Sequence, residues 1–206
     1  MSRIAAFLLL VVAVDSAQQP ATAPNSSLQE KIAFAESGGP AALARDATIY
    51  VLKDGKPIKA REGTNGCACV VLAWAPGDAE PTCYDPAATR VVLPRDLKEA
   101  SLRAQGKSEG EITAEIGSAF VRGELQTPEK GALIYMTSPQ GRLARHGKVV
   151  ANEPHVMISV PYMKNADIGI FDLPGAKLQG IPYINHEGTV DAIIVADVIP
   201  SRHEGH

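Results

Sequence analysis

The chain reads as a single α+β domain with an antiparallel sheet and helices packed on one face. Strand-type segments come first, a pair of helical segments follows, and strand-type segments return. No regular strand–helix–strand alternation is present, which argues against a parallel doubly wound sheet. The two helix starts are each marked by a serine followed three residues later by glutamate, Ser27/Glu30 and Ser108/Glu111, the spacing of a capping box.

Leu28, Ile32 and Ala35 follow Ser27 at helical spacing, and Gly38-Gly39-Pro40 stops that helix. Pro40 opens a short second turn through Asp46. Residues 47–53 are β-prone and lead into Asp54-Gly55, a hairpin turn signal, with a return strand from Lys56 to Glu62. After the turn Gly63-Thr64-Asn65-Gly66, the run Cys67–Trp74 reads as a buried third strand, so the three form an antiparallel meander. Pro94 opens the first of two later helices and Gly106 ends it. Ile112, Ile116, Ala119 and Phe120 share one face of the second, which Gly123 closes. Strand signals resume at Gly131–Thr137, His155–Pro161, Asp167–Phe171 and Thr189–Val198, and the basic stretch Arg142–Lys148 reads as a solvated loop.

The ends of the chain speak of compartment. Arg3 precedes an apolar run from Ile4 to Val14, and small residues follow at Ser16 and Ala17, the parts of a secretory signal. Eleven apolar residues are too few to span a bilayer, which takes about 20. The expected organisation is a signal peptide at 1–17, a flexible leader at 18–27, one domain at 28–200 and a disordered tail at 201–206. The expected location is outside the cytoplasm, periplasmic or extracellular, with no membrane span in the mature chain. A net charge of −3 with scattered Lys and Arg makes nucleic acid a poor partner.

An oxidising compartment lets cysteines pair. Cys67 and Cys69 point to the same face of a strand, and either can meet Cys83. Cys69–Cys83 is the favoured pairing and leaves Cys67 as a buried free thiol. A competing reading joins Cys67, Cys69 and Cys83 with a histidine as a zinc or copper site.

No nucleophile elbow, phosphate loop, dinucleotide fingerprint or zinc helix occurs in the sequence, and no cofactor is expected. Candidate acid–base groups are His155 and His186, each beside a strand end, with Asp85 and Glu80 on the loop around Cys83. Candidate binding residues are Arg61, Thr64 and Asn65 in a turn that exposes backbone N–H groups, together with His155. The first reading of function is an exported module that binds a small molecule or an envelope protein. The second is a hydrolase using His155 or His186 with Asp85 or Glu80, and the third is the Cys/His metal site.

Three segments carry a resemblance: Arg61–Val70 with its Gly-Thr-Asn-Gly turn, Glu80–Pro86, and Pro154-His155-Val156-Met157 with Pro161-Tyr162 and Glu187-Gly188-Thr189 beyond it. With these the chain resembles a family of uncharacterised secreted bacterial proteins. The resemblance implies an exported α+β domain with a Cys69–Cys83 pair, and the family has no assigned activity to carry over. Cys67 departs from it, since that position is often aromatic in the family.

Overall fold

The computed structural model describes residues 27–53, 56–145 and 148–198. The expected signal peptide, the leader up to residue 26, the Asp54-Gly55 turn and the tail lie outside the described residues. The domain is α+β, as the sequence predicts. It holds an eight-stranded sheet in the order β2-β1-β3-β4-β5-β8-β10-β9 and a separate hairpin, β6–β7.

Helix α1 (Leu28–Glu36) starts on the Ser27/Glu30 capping box, with both reciprocal bonds made. A single turn, α2 (Ala41–Ala44), follows before β1 (Thr48–Lys53), and β2 (Lys56–Arg61) pairs antiparallel with β1. Strand β3 (Ala68–Leu72) does not complete a meander: it lies on the other side of β1 and runs parallel to it. Gly63 makes this crossing possible. A Cβ there would stand 2.2 Å from the Thr48 nitrogen and 2.3 Å from the Ala47 carbonyl carbon, so only glycine lets the chain pass the start of β1. The sheet is therefore mixed rather than purely antiparallel.

Strand β4 (Glu80–Tyr84) occupies what the sequence presents as a loop. Pro81 counts against a strand, yet β5 pairs only with Cys83 and Tyr84, so the proline stands outside that ladder. Two short helices in series, α3 (Pro86–Val91) and α4 (Leu93–Ala104), precede α5 (Glu109–Val121), which starts on its expected Ser108/Glu111 capping box.

The later chain supplies β5 (Leu133–Met136), the hairpin strands β6 (Arg142–Arg145) and β7 (Lys148–Ala151), then β8 (His155–Ser159). Strands β9 (Tyr183–Asn185) and β10 (Ile193–Asp197) finish the sheet. Arg142–Lys148, read as a loop, thus forms most of a hairpin. Asp167–Phe171 is not a strand: a 3-10 turn spans Asn165–Ile168, Asp167 accepts from the Lys164 N–H at 2.7 Å, and Gly169 closes the turn at φ 79°. Short helix α6 (Leu173–Leu178) follows.

Helices flank both faces of the sheet, not one. On one face Ile32 and Ala35 of α1 pack with Ile49, Val51, Cys69 and Cys83. On the other, Val91, Val92 and Leu93 pack with Val70, Leu72, Tyr84 and Ile134. Strand alternation assigns β3 and β4 residues to the two layers by turns. The second face is where a cleft forms.

Candidate functional site

The cleft has a volume of about 670 Å³ and lies between α4 and the β6–β7 hairpin, with the sheet as its floor. That size falls within the range of small-molecule sites. Register places successive floor residues side by side. Tyr84, Ile134, Met157, Val195 and Tyr183 form one row across five strands. Met136, His155 and Asp197 form the next. The middle of the floor is apolar and polar groups stand at its ends.

Asp78 fixes the hairpin wall. One carboxylate oxygen accepts from the Ala75 N–H at 2.8 Å and the Trp74 N–H at 3.2 Å, and the other accepts from the Ala144 N–H at 2.6 Å. Backbone bonds between Ala79 and Arg142 at 2.9 and 3.0 Å complete the attachment. Trp74 and Arg145 are thereby both brought to the cleft.

The α4 wall is an ion-pair ladder. Asp96 accepts from the Tyr84 hydroxyl at 2.7 Å and from Arg95 at 2.8 Å. Arg95 also reaches Glu99 at 2.9 Å and lies 3.8 Å from Asp191, while Arg103 meets Glu99 at 2.7 Å and sits over the Trp74 ring at 5.9 Å. Arginine at 95 and 103 with glutamate at 99 is the four-residue spacing that stacks charges on one helix face. Burial raises the Asp96 carboxyl despite Arg95 and Tyr84, and burial with the neighbouring Asp96 drives the Tyr84 hydroxyl well up.

Glu80, on β4 and lining the cleft, is only 4% exposed. Burial pushes its carboxyl up to about 7 and the charge of Asp78 adds to this, while a hydrogen bond from the Trp74 side chain and the charge of Arg145 act against it. It is a strand residue with a protonation change near neutrality, not the loop acid the sequence suggests.

His155 also lines the cleft. Its Nδ1 lies 2.7 Å from the carbonyl oxygen of Glu153. A carbonyl only accepts, so Nδ1 carries the hydrogen and Nε2 of the neutral ring is left as an acceptor. His186 lines the same cleft from a tight turn, where its backbone adopts φ 52° and its carbonyl accepts from the Thr189 hydroxyl at 2.7 Å.

The other expected site residues stand elsewhere. Asp85 caps α3, accepting from the Ala88 N–H at 2.7 Å, and is not a cleft residue. Arg61 binds the carbonyls of Ala44 at 2.8 Å and Ala47 at 3.0 Å and pairs with Glu36 at 2.6 Å. Asn65 donates to the Leu43 carbonyl and accepts from the Cys67 N–H, and the Thr64 N–H donates to the Asp46 carbonyl. These three tie the crossing loop to the turn before β1, so Glu80, His155 and His186 share the cleft, and Arg61, Thr64, Asn65 and Asp85 do not line it.

Cys69 and Cys83 are bonded, and Cys67 is a buried free thiol that burial and the charge of Asp85 push up. The disulfide removes two of the three thiolates that the metal reading needs. Among the described residues no group of three His, Cys, Asp or Glu side chains is set to hold a metal ion. Sequence reasoning missed Trp74, Tyr84 and the α4 ladder as cleft residues. The Arg95/Glu99/Arg103 spacing and the alternation of Glu80, Thr82 and Tyr84 were the available signals.

Comparison with known proteins gives no match: no protein-family model, curated protein or solved structure is significantly similar to the chain.

Proposed function

We propose that this chain is an exported small-molecule-binding domain whose ligand occupies the cleft between α4 and the β6–β7 hairpin. The observation that carries the reading is the cleft itself, about 670 Å³ with an apolar floor and ionisable groups at its ends. Export is supported by the basic and apolar start of the sequence and by the Cys69–Cys83 crosslink. The chain's single tryptophan, Trp74, lines the cleft and serves as a built-in reporter. A panel of metabolites is to be screened by Trp74 emission and by thermal shift on the mature chain. A true ligand at 100 times its Kd stabilises by about 2.7 kcal/mol, and Met157→Phe, which fills the floor, abolishes the response. If no compound class moves either signal, the reading is wrong.

A hydrolase reading has one specific observation in its favour: Glu80, which exchanges its proton near pH 7, shares the cleft with the acceptor Nε2 of His155. His155 would take a proton from water as its oxygen attacks, and Glu80 would hand one to the leaving group. Turnover of a bound compound, lost in both Glu80→Gln and His155→Asn while binding persists, distinguishes this enzyme from a binding module.

A further inference from the structure

Resting on the binding reading, we propose that the cleft takes a glycoside, a ligand whose head is a neutral, polyhydroxylated ring, and that this head seats over Ile193 between the side chains of Ser159 and Asn185.

The register of the sheet brings these groups together. Strand β10 lies between β8 and β9, and Ile193 stands opposite Ser159 on one side and opposite Asn185 on the other. All three line the cleft. Two strand spacings put Ser159 and Asn185 about 10 Å apart across this row. A hydrogen bond of about 2.8 Å from each side leaves a gap the width of one sugar ring, with Ile193 beneath it. The C–H face of such a ring suits an apolar floor, and the hydroxyls at its edge reach sideways.

Unused hydrogen-bond capacity is the second argument. Ser159 is 1% exposed, yet its hydroxyl makes no hydrogen bond to any described residue. The side-chain atoms sealed from solvent without a hydrogen bond are on Arg95, Glu99 and Arg103, so the free capacity of Ser159 opens into the cleft it lines. A buried hydroxyl left without a partner is costly, and a ligand relieves that cost. The carboxamide of Asn185 is also without a partner among the described residues, and His186, next in the chain, lines the same end.

Charge is the third. The charged groups at this end are engaged with one another, Arg95 lying 2.8 Å from Asp96 and 3.8 Å from Asp191. What remains for a ligand is a hydroxyl, a carboxamide and an imidazole, each able both to donate and to accept. A sugar hydroxyl does both as well. An ammonium only donates and a carboxylate only accepts, and either would shed its hydration here with no free counter-charge beside it. Met157, Val195 and Tyr183 form the adjoining row, where the apolar aglycone lies.

The test uses four probes with one tail and different heads: hexyl β-D-glucoside, hexan-1-ol, hexanoate and hexylamine. Each is titrated at pH 8 into the mature chain and read by calorimetry and by the side-chain amide NMR signals of Asn185. The expected result is the glucoside binding about tenfold tighter than any of the others, the scale of one or two net hydrogen bonds, with the Asn185 signals shifting. Ser159→Ala and Asn185→Leu each bring the glucoside down towards hexanol and leave hexanol binding as it was, a selective loss that unfolding does not imitate. A glucoside no tighter than hexanol, or a charged probe that binds best, overturns the hydroxylated head and leaves the binding cleft standing. A glucoside advantage that survives both substitutions overturns the seat between Ser159 and Asn185. Binding of none of the four overturns the cleft reading as well.

Discussion

The side chain of Trp74 stands beside the carboxyl of Glu80 and works against the rise that burial imposes on it, which couples the only tryptophan of the chain to a 4%-exposed acid in the wall of the cleft. Any change in the charge of Glu80 is therefore felt by the indole. Trp74 emission is expected to titrate with a midpoint of about 7, the value to which burial pushes Glu80. Asp78 and Arg145 also face this carboxyl, and His155 shares the cleft. Glu80→Gln removes the transition and His155→Asn keeps it. An unchanged titration in Glu80→Gln would assign the signal to another group.

The same carboxyl makes stability depend on pH. Its pKa is raised on folding, so the folded protein holds the proton more tightly than the unfolded chain. Its contribution is fully present below the ordinary value of 4.5 and is lost as pH rises through about 7. Over that window the wild type loses up to about 3 kcal/mol relative to Glu80→Gln. Urea unfolding of both proteins at pH 4.5 and pH 8 measures it. A difference that does not grow towards pH 8 contradicts the burial of Glu80.

Thiol counting checks the other face of the sheet. Unfolded without reductant, the chain should react at one thiol, Cys67, and after reduction at three. Folded, Cys67 should react slowly, because it is 6% exposed and burial raises its pKa. The bridge spans a sequence separation of 14. Reduction is expected to cost about 3 kcal/mol.

Arg61 should prove structural. Arg61→Ala leaves the Ala44 and Ala47 carbonyls and Glu36 without their donor. The expected loss is about 1–3 kcal/mol of stability, with ligand binding in the cleft unchanged. Lysine at this position restores only part, since one ammonium does not reproduce the fork of a guanidinium. A binding defect without a stability defect would return Arg61 to the list of ligand contacts.

Legibility in the sequence followed the range of the forces involved. Helices α1 and α5 were readable because their capping boxes close within three residues. The β1–β2 pairing was readable from its short connection, with Lys53 opposite Lys56. The parallel pairing of β1 and β3 was not, because it depends on Gly63 passing within van der Waals distance of a segment 15 residues earlier. Strand β4 was hidden by Glu80 and Pro81, two residues that disfavour strands in isolation and are tolerated here by the cleft and by the short β5 ladder. Of the site, His155, His186 and Glu80 were nameable as single residues. Their common cleft was not, since it arises from α4 and a hairpin brought together by Asp78.

Strand β4 turns Cys83 to one side and Thr82 and Tyr84 to the other, with Glu80 on their side. The crosslink and the buried acid thus belong to the same five-residue ribbon, back to back. The Cys69–Cys83 bond is a covalent rung in a β3–β4 ladder of five register pairs. A slip by one residue would turn Glu80 away from the cleft and towards α1. The sulfurs behind the sheet and the carboxyl in front of it therefore owe their opposite placements to a single strand's register.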